Sequence, residues 1–364
     1  MKTMMKNIIG ILLLPGTILV AVSCTAESGR EAENLDAPVS LERVNSWSIH
    51  APELIPNAVD FGALQDYSLV IIDRSLNTIN HFDAEGNHLE TRGGEGRGPG
   101  EYQTIIASDI NPDGRVAIAD LNSARITVLS LYDDEEVTFS YNTGWNPQLQ
   151  WTRQGVVILN HPFTIMATHP GDILMRLYDT ETNEKEEFYH MDLVMSDPPF
   201  EEISCTFCRF RFLDDLNFFT APQDTSYRIF RVNPETEEET LFSRNGVPPV
   251  AYTEEEREEL AENRARGLQA AGMDPGEYRA PQFRNRFRDF FPDDSGRLWA
   301  VLNGPADEPA RIDIFSPEAD YLGTLKGPER AGSIRYTKGG YLLVRYMNDD
   351  PDIWEGGLYR VISD

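Results

Sequence analysis

A chain of 364 residues is long enough for one large domain or two ordinary ones. Hydrophobic residues make up 40% and charged residues 25%, which provides for an ordinary globular core and argues against global disorder. With 60 acidic side chains against 32 basic ones, the formal charge of −28 repels phosphate backbones and argues against non-specific binding to DNA or RNA.

The N-terminus reads as a targeting segment. Lys2 and Lys6 supply a positive region, and residues 8–22 are an almost uninterrupted apolar run, too short for a comfortable membrane span. The run ends in Ala21-Val22-Ser23-Cys24. This resembles the lipobox of bacterial lipoproteins, with Ala21 where leucine is more usual. The resemblance implies cleavage before Cys24, lipid attachment to that cysteine and an outer-membrane anchor in the bacterial envelope. A secretory signal cut near Ser23, leaving a free thiol, is the alternative, and both export the chain. Residues 1–23 are thus expected as signal peptide, 24–42 as a flexible acidic tether and 43–364 as the folded domain.

Residues 44–49 (Val-Asn-Ser-Trp-Ser-Ile) alternate as a strand should. After them a short pattern recurs: an apolar residue, two variable positions, a second apolar or aromatic residue, then a turn-former. It begins at Ile79, Ile126, Met175, Ile229, Ile312 and Tyr359, at intervals of 47, 49, 54, 83 and 47. Around each pattern lie β-branched and aromatic runs broken by Gly, Pro, Asn and Asp. Asn111-Pro112-Asp113-Gly114 and Asp293-Asp294-Ser295-Gly296 occupy matching places in two of the units. Such units predict an all-β chain, a six-bladed β-propeller, with a two-sheet sandwich as the runner-up. The sixth pattern ends at Ile362, leaving no sequence for that blade's outermost strand, so residues 44–49 are expected to close the ring as a strap.

Gly93-Gly94-Glu95-Gly96-Arg97-Gly98-Pro99-Gly100-Glu101-Tyr102, followed by Asp120-Leu121-Asn122-Ser123-Ala124-Arg125-Ile126, resembles the NHL-type repeat, and the whole looks similar to six-bladed propeller lipoproteins of bacterial envelopes. Only residues 79–129 carry the full motif; the other units keep the spacing alone. The resemblance implies recognition on a propeller face, without naming a substrate. Successive glycines can also present N–H groups to an anion, but no phosphate-loop context surrounds them. A tight inter-blade turn is the plainer reading.

Cys205 and Cys208 have the spacing of a redox pair or half a metal site, and Cys24 is the only other cysteine. Export favours a disulfide, which requires a turn at 205–208; two thiols or a redox pair remain alternatives. Histidines stand at 50, 81, 88, 161, 169 and 190 with no metal-binding motif among them. Zinc lyases and calcium lactonases occur on related propellers, so a metal-dependent enzyme acting in the channel is the second functional class. No catalytic residue, metal ligand or cofactor is assigned.

The long interval of 83 holds the one good helical signal, in an insertion of about 251–281 between the fourth and fifth units. Thr253 with Glu256 reads as a capping box, Glu254 to Glu256 load the first turn, and Arg264 and Arg266 lie towards the end. Beyond it, Arg284, Arg286 and Arg288 alternate with phenylalanines, and Arg209 and Arg211 form a smaller echo. Strand alternation would place the three arginines on one face. One reading pairs them with the acidic helix; the other makes them a patch at a channel mouth, with the helix as partial lid, for an acidic ligand. The expected function is a ligand- or protein-binding or scaffolding module, meeting a protein, a peptide or an acidic small ligand, without nucleic acid and with the membrane reached only through the lipid.

Overall fold

The computed structural model describes residues 37–363 apart from 134, 141–147, 161–172, 181, 183, 192–208, 214, 223, 271, 273, 275, 277, 306 and 307. After the long β1 (Val39–His50), one sheet contains β2 (Ala58–Ala63), β3 (Leu69–Asp73), β4 (Thr78–Phe82) and β5 (His88–Gly93). The next contains β6 (Ile105–Ile110), β7 (Arg115–Asp120), β8 (Arg125–Ser130) and β9 (Glu136–Ser140). Then come β10 (Gln148–Thr152), β11 (Gly155–Asn160), β12 (Ile173–Asp179) and β13 (Glu184–Met191). A fourth set is β14 (Arg209–Phe212), β15 (Phe218–Ala221), β16 (Arg228–Val232) and β17 (Glu239–Ser243). Helix α1 (Glu254–Ala270) precedes β18 (Phe287–Pro292), β19 (Leu298–Leu302), β20 (Arg311–Phe315) and β21 (Tyr321–Lys326). Finally β22 (Ala331–Thr337), β23 (Tyr341–Tyr346) and β24 (Ile353–Ser363) accept β1 as their outermost strand.

This is a six-bladed β-propeller in which every blade is a four-stranded antiparallel sheet. The six repeat segments are the third strands, β4, β8, β12, β16, β20 and β24. The second strands explain why the blades stack: Leu69, Val70, Ile71 and Ile72 on β3 and Leu298, Trp299, Ala300 and Val301 on β19 are buried on both faces. One face of each packs on its own blade's neighbour before it, the other on the neighbour after it, so cores run between blades. Val70, Ile72 and Ile79 meet Val116, Ile118 and Leu129 of the following sheet in this way.

Two buried aspartates fix where the chain enters its blade. Asp73, at the end of β3, accepts the N–H of Asn57 and that of Leu76 at 2.8 Å; Asp120, at the end of β7, accepts those of Gln103 and Thr104, both at 2.9 Å. Each carboxylate thereby ties its own turn to the chain entering the same blade, and satisfies N–H groups that the sheet ladder cannot reach.

β1 pairs antiparallel with β24 from Val39↔Ser363 to His50↔Ile353. The expected strap is therefore present, and it is longer than residues 44–49. Strand begins at Val39, so residues 39–42, assigned to the tether from composition, belong to the propeller; Glu42 and Arg43 look polar because this part of the strand is an exposed outer edge. Trp47 and Ile49 point inward against Leu343, Trp354 and Leu358.

Counted from the blade that holds the N-terminal strand, α1 lies between the fifth and sixth blades and not between the fourth and fifth. Repeat spacing misses this because β1 belongs with the C-terminal strands, which makes that blade the first. The capping box forms as expected: Glu256 accepts the Thr253 N–H at 2.9 Å and donates its own N–H to Thr253 Oγ1 at 3.2 Å. The last turn holds no basic residue, because the helix runs on to Ala270 and leaves Arg264 and Arg266 short of its end.

Candidate functional site: the central channel

The first strands of the six blades, β2, β6, β10, β14, β18 and β22, surround a channel of about 680 Å³. The hairpin turns that follow those strands contribute Asn111, Pro112, Arg153, Asp215, residues 293–296 and Lys338, whereas Arg74 comes from the opposite end. The lining is thus weighted towards the end away from the inter-blade connections and α1.

Four of these strands are bulged at matching places, between Ala58 and Asp60, Ile105 and Ala107, Phe287 and Asp289, and Ala331 and Ser333. A bulge re-aims the residues beside it. Asp60, just past the first, is only 5% exposed and is held by the Phe61 N–H at 2.9 Å, Ser108 Oγ at 2.7 Å and the Arg335 guanidinium. Arg335 also lies 4.8 Å over the Phe61 ring. Asp289, at the equivalent place on β18, receives Arg211 Nη2 on both oxygens, at 2.9 and 3.1 Å. Between β10 and β14, side-chain amides join strands that share no sheet: Gln148 and Gln150 accept the N–H groups of Phe210 and Phe212 at 3.2 and 2.9 Å, and Gln150 Nε2 donates to Phe212 O at 2.8 Å.

Among the described residues of these first strands, Asp109 is a carboxylate with no guanidinium bonded to it. It accepts the Trp151 N–H at 2.7 Å, while its own carbonyl accepts Trp151 Nε1 at 3.2 Å. Burial pushes its carboxyl up to about 6, and the charge of Asp60 adds to the rise; the Trp151 N–H and the Arg335 charge act against it. Burial opposes the charge on Arg335, but Asp60 and Asp109 outweigh it and raise its pKa above the usual guanidinium range. The arrangement can bind charged groups in a partly dehydrated space, where a charge interacts more strongly than at the surface.

The arginine stretch lies elsewhere. Arg284 is paired with Glu256 of α1 and stacks 4.5 Å over Tyr252. Arg286, 7% exposed, donates to Pro248 O and Thr225 O at 2.8 Å and to Val247 O at 3.1 Å. Arg288 donates to Gly332 O. None of the three lines the channel, and they share no face, because strand begins only at Phe287 and the bulge falls across Arg288. Instead Arg284 and Arg286 brace the connection that carries α1, and Arg288 ties β18 to β22.

The glycine stretch is a turn closed by its own residues. Gly93, Gly94 and Gly100 take φ of 93°, 128° and 72°, and the Glu101 carboxylate accepts the Gly98 N–H at 2.8 Å, where an anion would sit. Arg125 ties down the carbonyls of Gly98 and Glu101. His81 is buried against Ser68 Oγ at 2.9 Å, and burial lowers its pKa; His88 meets Thr91 at 2.8 Å, and His50 is exposed on β1. Cys24, Cys205, Cys208, His161 and His169 lie outside the described residues, as does the side chain of His190. Among the described residues no group of three or more His, Cys, Asp or Glu is placed to hold a metal. Asp60, Asp109, Asp289 and Arg335 escape the sequence reading; their mark there is a charged residue inside a first strand made mostly of apolar and small residues.

Blade count, closure and channel define a six-bladed propeller with a charged, ligand-sized channel. No family model matches the chain, and no curated protein does. Solved structures similar to it include a member of the DUF4221 family from Bacteroides vulgatus, at TM-score 0.56 and 10% identity over 90% of this chain and 99% of that one. A catalytically inactive virginiamycin B lyase from Staphylococcus aureus with quinupristin matches at TM-score 0.45 and 11% identity, over 89% and 100%. At such identity the first shares the fold and nothing more is carried over; the second is too distant to add to it.

Proposed function

We propose that this chain is an exported NHL-type propeller, anchored to the bacterial outer membrane by lipid on Cys24, that serves as a binding or scaffolding module by admitting a ligand or partner segment into its channel. The observation that carries the reading is the channel itself: about 680 Å³ falls within the range of small-ligand sites, and its waist holds charged groups in defined hydrogen bonds. The positive, apolar and small-residue succession up to Cys24 supports the anchor. Residues between Cys24 and the start of β1 at Val39 reach about 50 Å at full extension, enough for the propeller to stand clear of the membrane surface.

Two variants test the two halves of this. Cys24→Ala should move the protein from the membrane fraction to the soluble envelope fraction. Ala107→Trp puts a bulky ring at a channel-lining position on β6 while leaving every charged residue in place, and should abolish capture of ligand or partner from solubilised envelope while circular dichroism stays unchanged. Capture that survives Ala107→Trp places recognition outside the channel and refutes the reading.

A further inference from the structure

The channel waist holds three carboxylates, Asp60, Asp109 and Asp289, but only two guanidiniums. Arg335 serves Asp60 and Arg211 serves Asp289. We propose that the waist binds an organic ammonium group, seated on Asp109 beside Asp60, with its apolar stem along the channel aromatics. The proposal rests on the channel being the binding site and names the class of ligand it takes.

The groups around Asp109 select that class. Asp60 faces it from β2 and Arg335 from β22, while β10 offers the neutral Gln148, Gln150 and Trp151 and β6 itself offers Ser108. Arg335 in turn feels Asp289 on β18. An anion entering here meets the unmatched Asp109 and a chain of net charge −28. A hard divalent cation needs six or more oxygens, and Arg335 puts a fixed positive charge where they would gather. A monovalent ammonium matches the single unmatched charge, and its three N–H donors suit carboxylate and hydroxyl acceptors. Phe61, Phe212, Phe291 and Tyr336 line the same channel and give an alkyl or aryl stem apolar contact.

Ionisation of Asp109 then controls affinity. Its carboxyl is raised to about 6, so at pH 8 it is charged and at pH 5 only about one site in ten is, before ligand is added. The test is calorimetric titration of the whole protein with 1-aminopentane, glutarate and calcium chloride, at both pH values, on wild type, Asp109→Asn and Ala107→Trp. The expected result is amine binding at pH 8 that weakens about tenfold at pH 5, weakens at least tenfold in Asp109→Asn, and vanishes in Ala107→Trp. The wild-type pH arm stands even if the asparagine variant folds poorly. Amine affinity indifferent to pH, or no amine binding, overturns the proposal. Glutarate or calcium binding that Ala107→Trp blocks also overturns it, while leaving the channel as the binding site. Binding of any probe that Ala107→Trp leaves intact overturns both.

Discussion

Replacing Asp313 with alanine should be among the most damaging single changes in this protein. Asp313 lies on β20 with no solvent exposure. It accepts Arg244 Nη1 at 3.1 Å on each oxygen, Tyr227 Oη at 2.5 Å and the Thr324 hydroxyl. Arg244 follows β17, so the carboxylate fastens the blade before α1 to the blade after it, and the guanidinium rests 4.3 Å over Tyr321. Burial, and after it the charge of Asp313, push the Tyr227 phenol far above its ordinary range, so the phenol stays a donor at any ordinary pH. Removing the carboxylate leaves a largely buried guanidinium and two hydroxyls without their acceptor. Breaking one side of a buried pair costs about 3–5 kcal/mol, whereas replacing both sides by apolar groups is often near neutral. Urea denaturation followed by tryptophan fluorescence should therefore show a loss of that size for Asp313→Ala, and a clearly smaller loss for Asp313→Ala combined with Arg244→Met. If the single variant loses less than about 1 kcal/mol, or the two changes simply add, the carboxylate is not compensating a buried charge and the reasoning is wrong.

The strap and the channel carry further predictions. Truncation to residue 38 should leave the melting temperature unchanged, while truncation to residue 50 removes Trp47 and Ile49 from the β24 core and should abolish cooperative unfolding; Trp47→Ala alone should cost about 3–5 kcal/mol. Equal behaviour of the two truncations would show that β1 is dispensable. For Asp109 the folded pKa of about 6 lies above the ordinary 3.8, so its charge opposes folding in full above pH 6, and the cost fades as pH falls from 6 to 3.8. Asp109→Asn should accordingly be more stable than wild type by about 1–2 kcal/mol at pH 8, the gap closing below pH 4; a gap that widens on acidification would exclude a raised pKa.

Much of the architecture is local chemistry and so was legible in the chain. The third strands repeat because each must place apolar residues on both faces of a blade, and that demand recurs at each of the six units. The capping box at Thr253 and Glu256 joins residues three apart, and the glycines at 93–100 supply a turn that other residues would strain. The strap was legible in the alternation of residues 44–49, which pair with β24 in the structure. The channel site is of another kind. Asp60 and Arg335 are 275 residues apart and meet only when the ring closes, and which first-strand side chains face inward depends on bulges that pattern alone does not locate. Arg286 makes the same point in reverse. Alternation assigned it to a shared surface patch, but the carbonyls of Thr225, Val247 and Pro248, brought beside it by the fold, satisfy its guanidinium inside the protein. Sequence determined the blades and their closure because those rest on near neighbours and strand period; the tertiary structure alone decided where the charges meet, because their partners come from the other side of the ring.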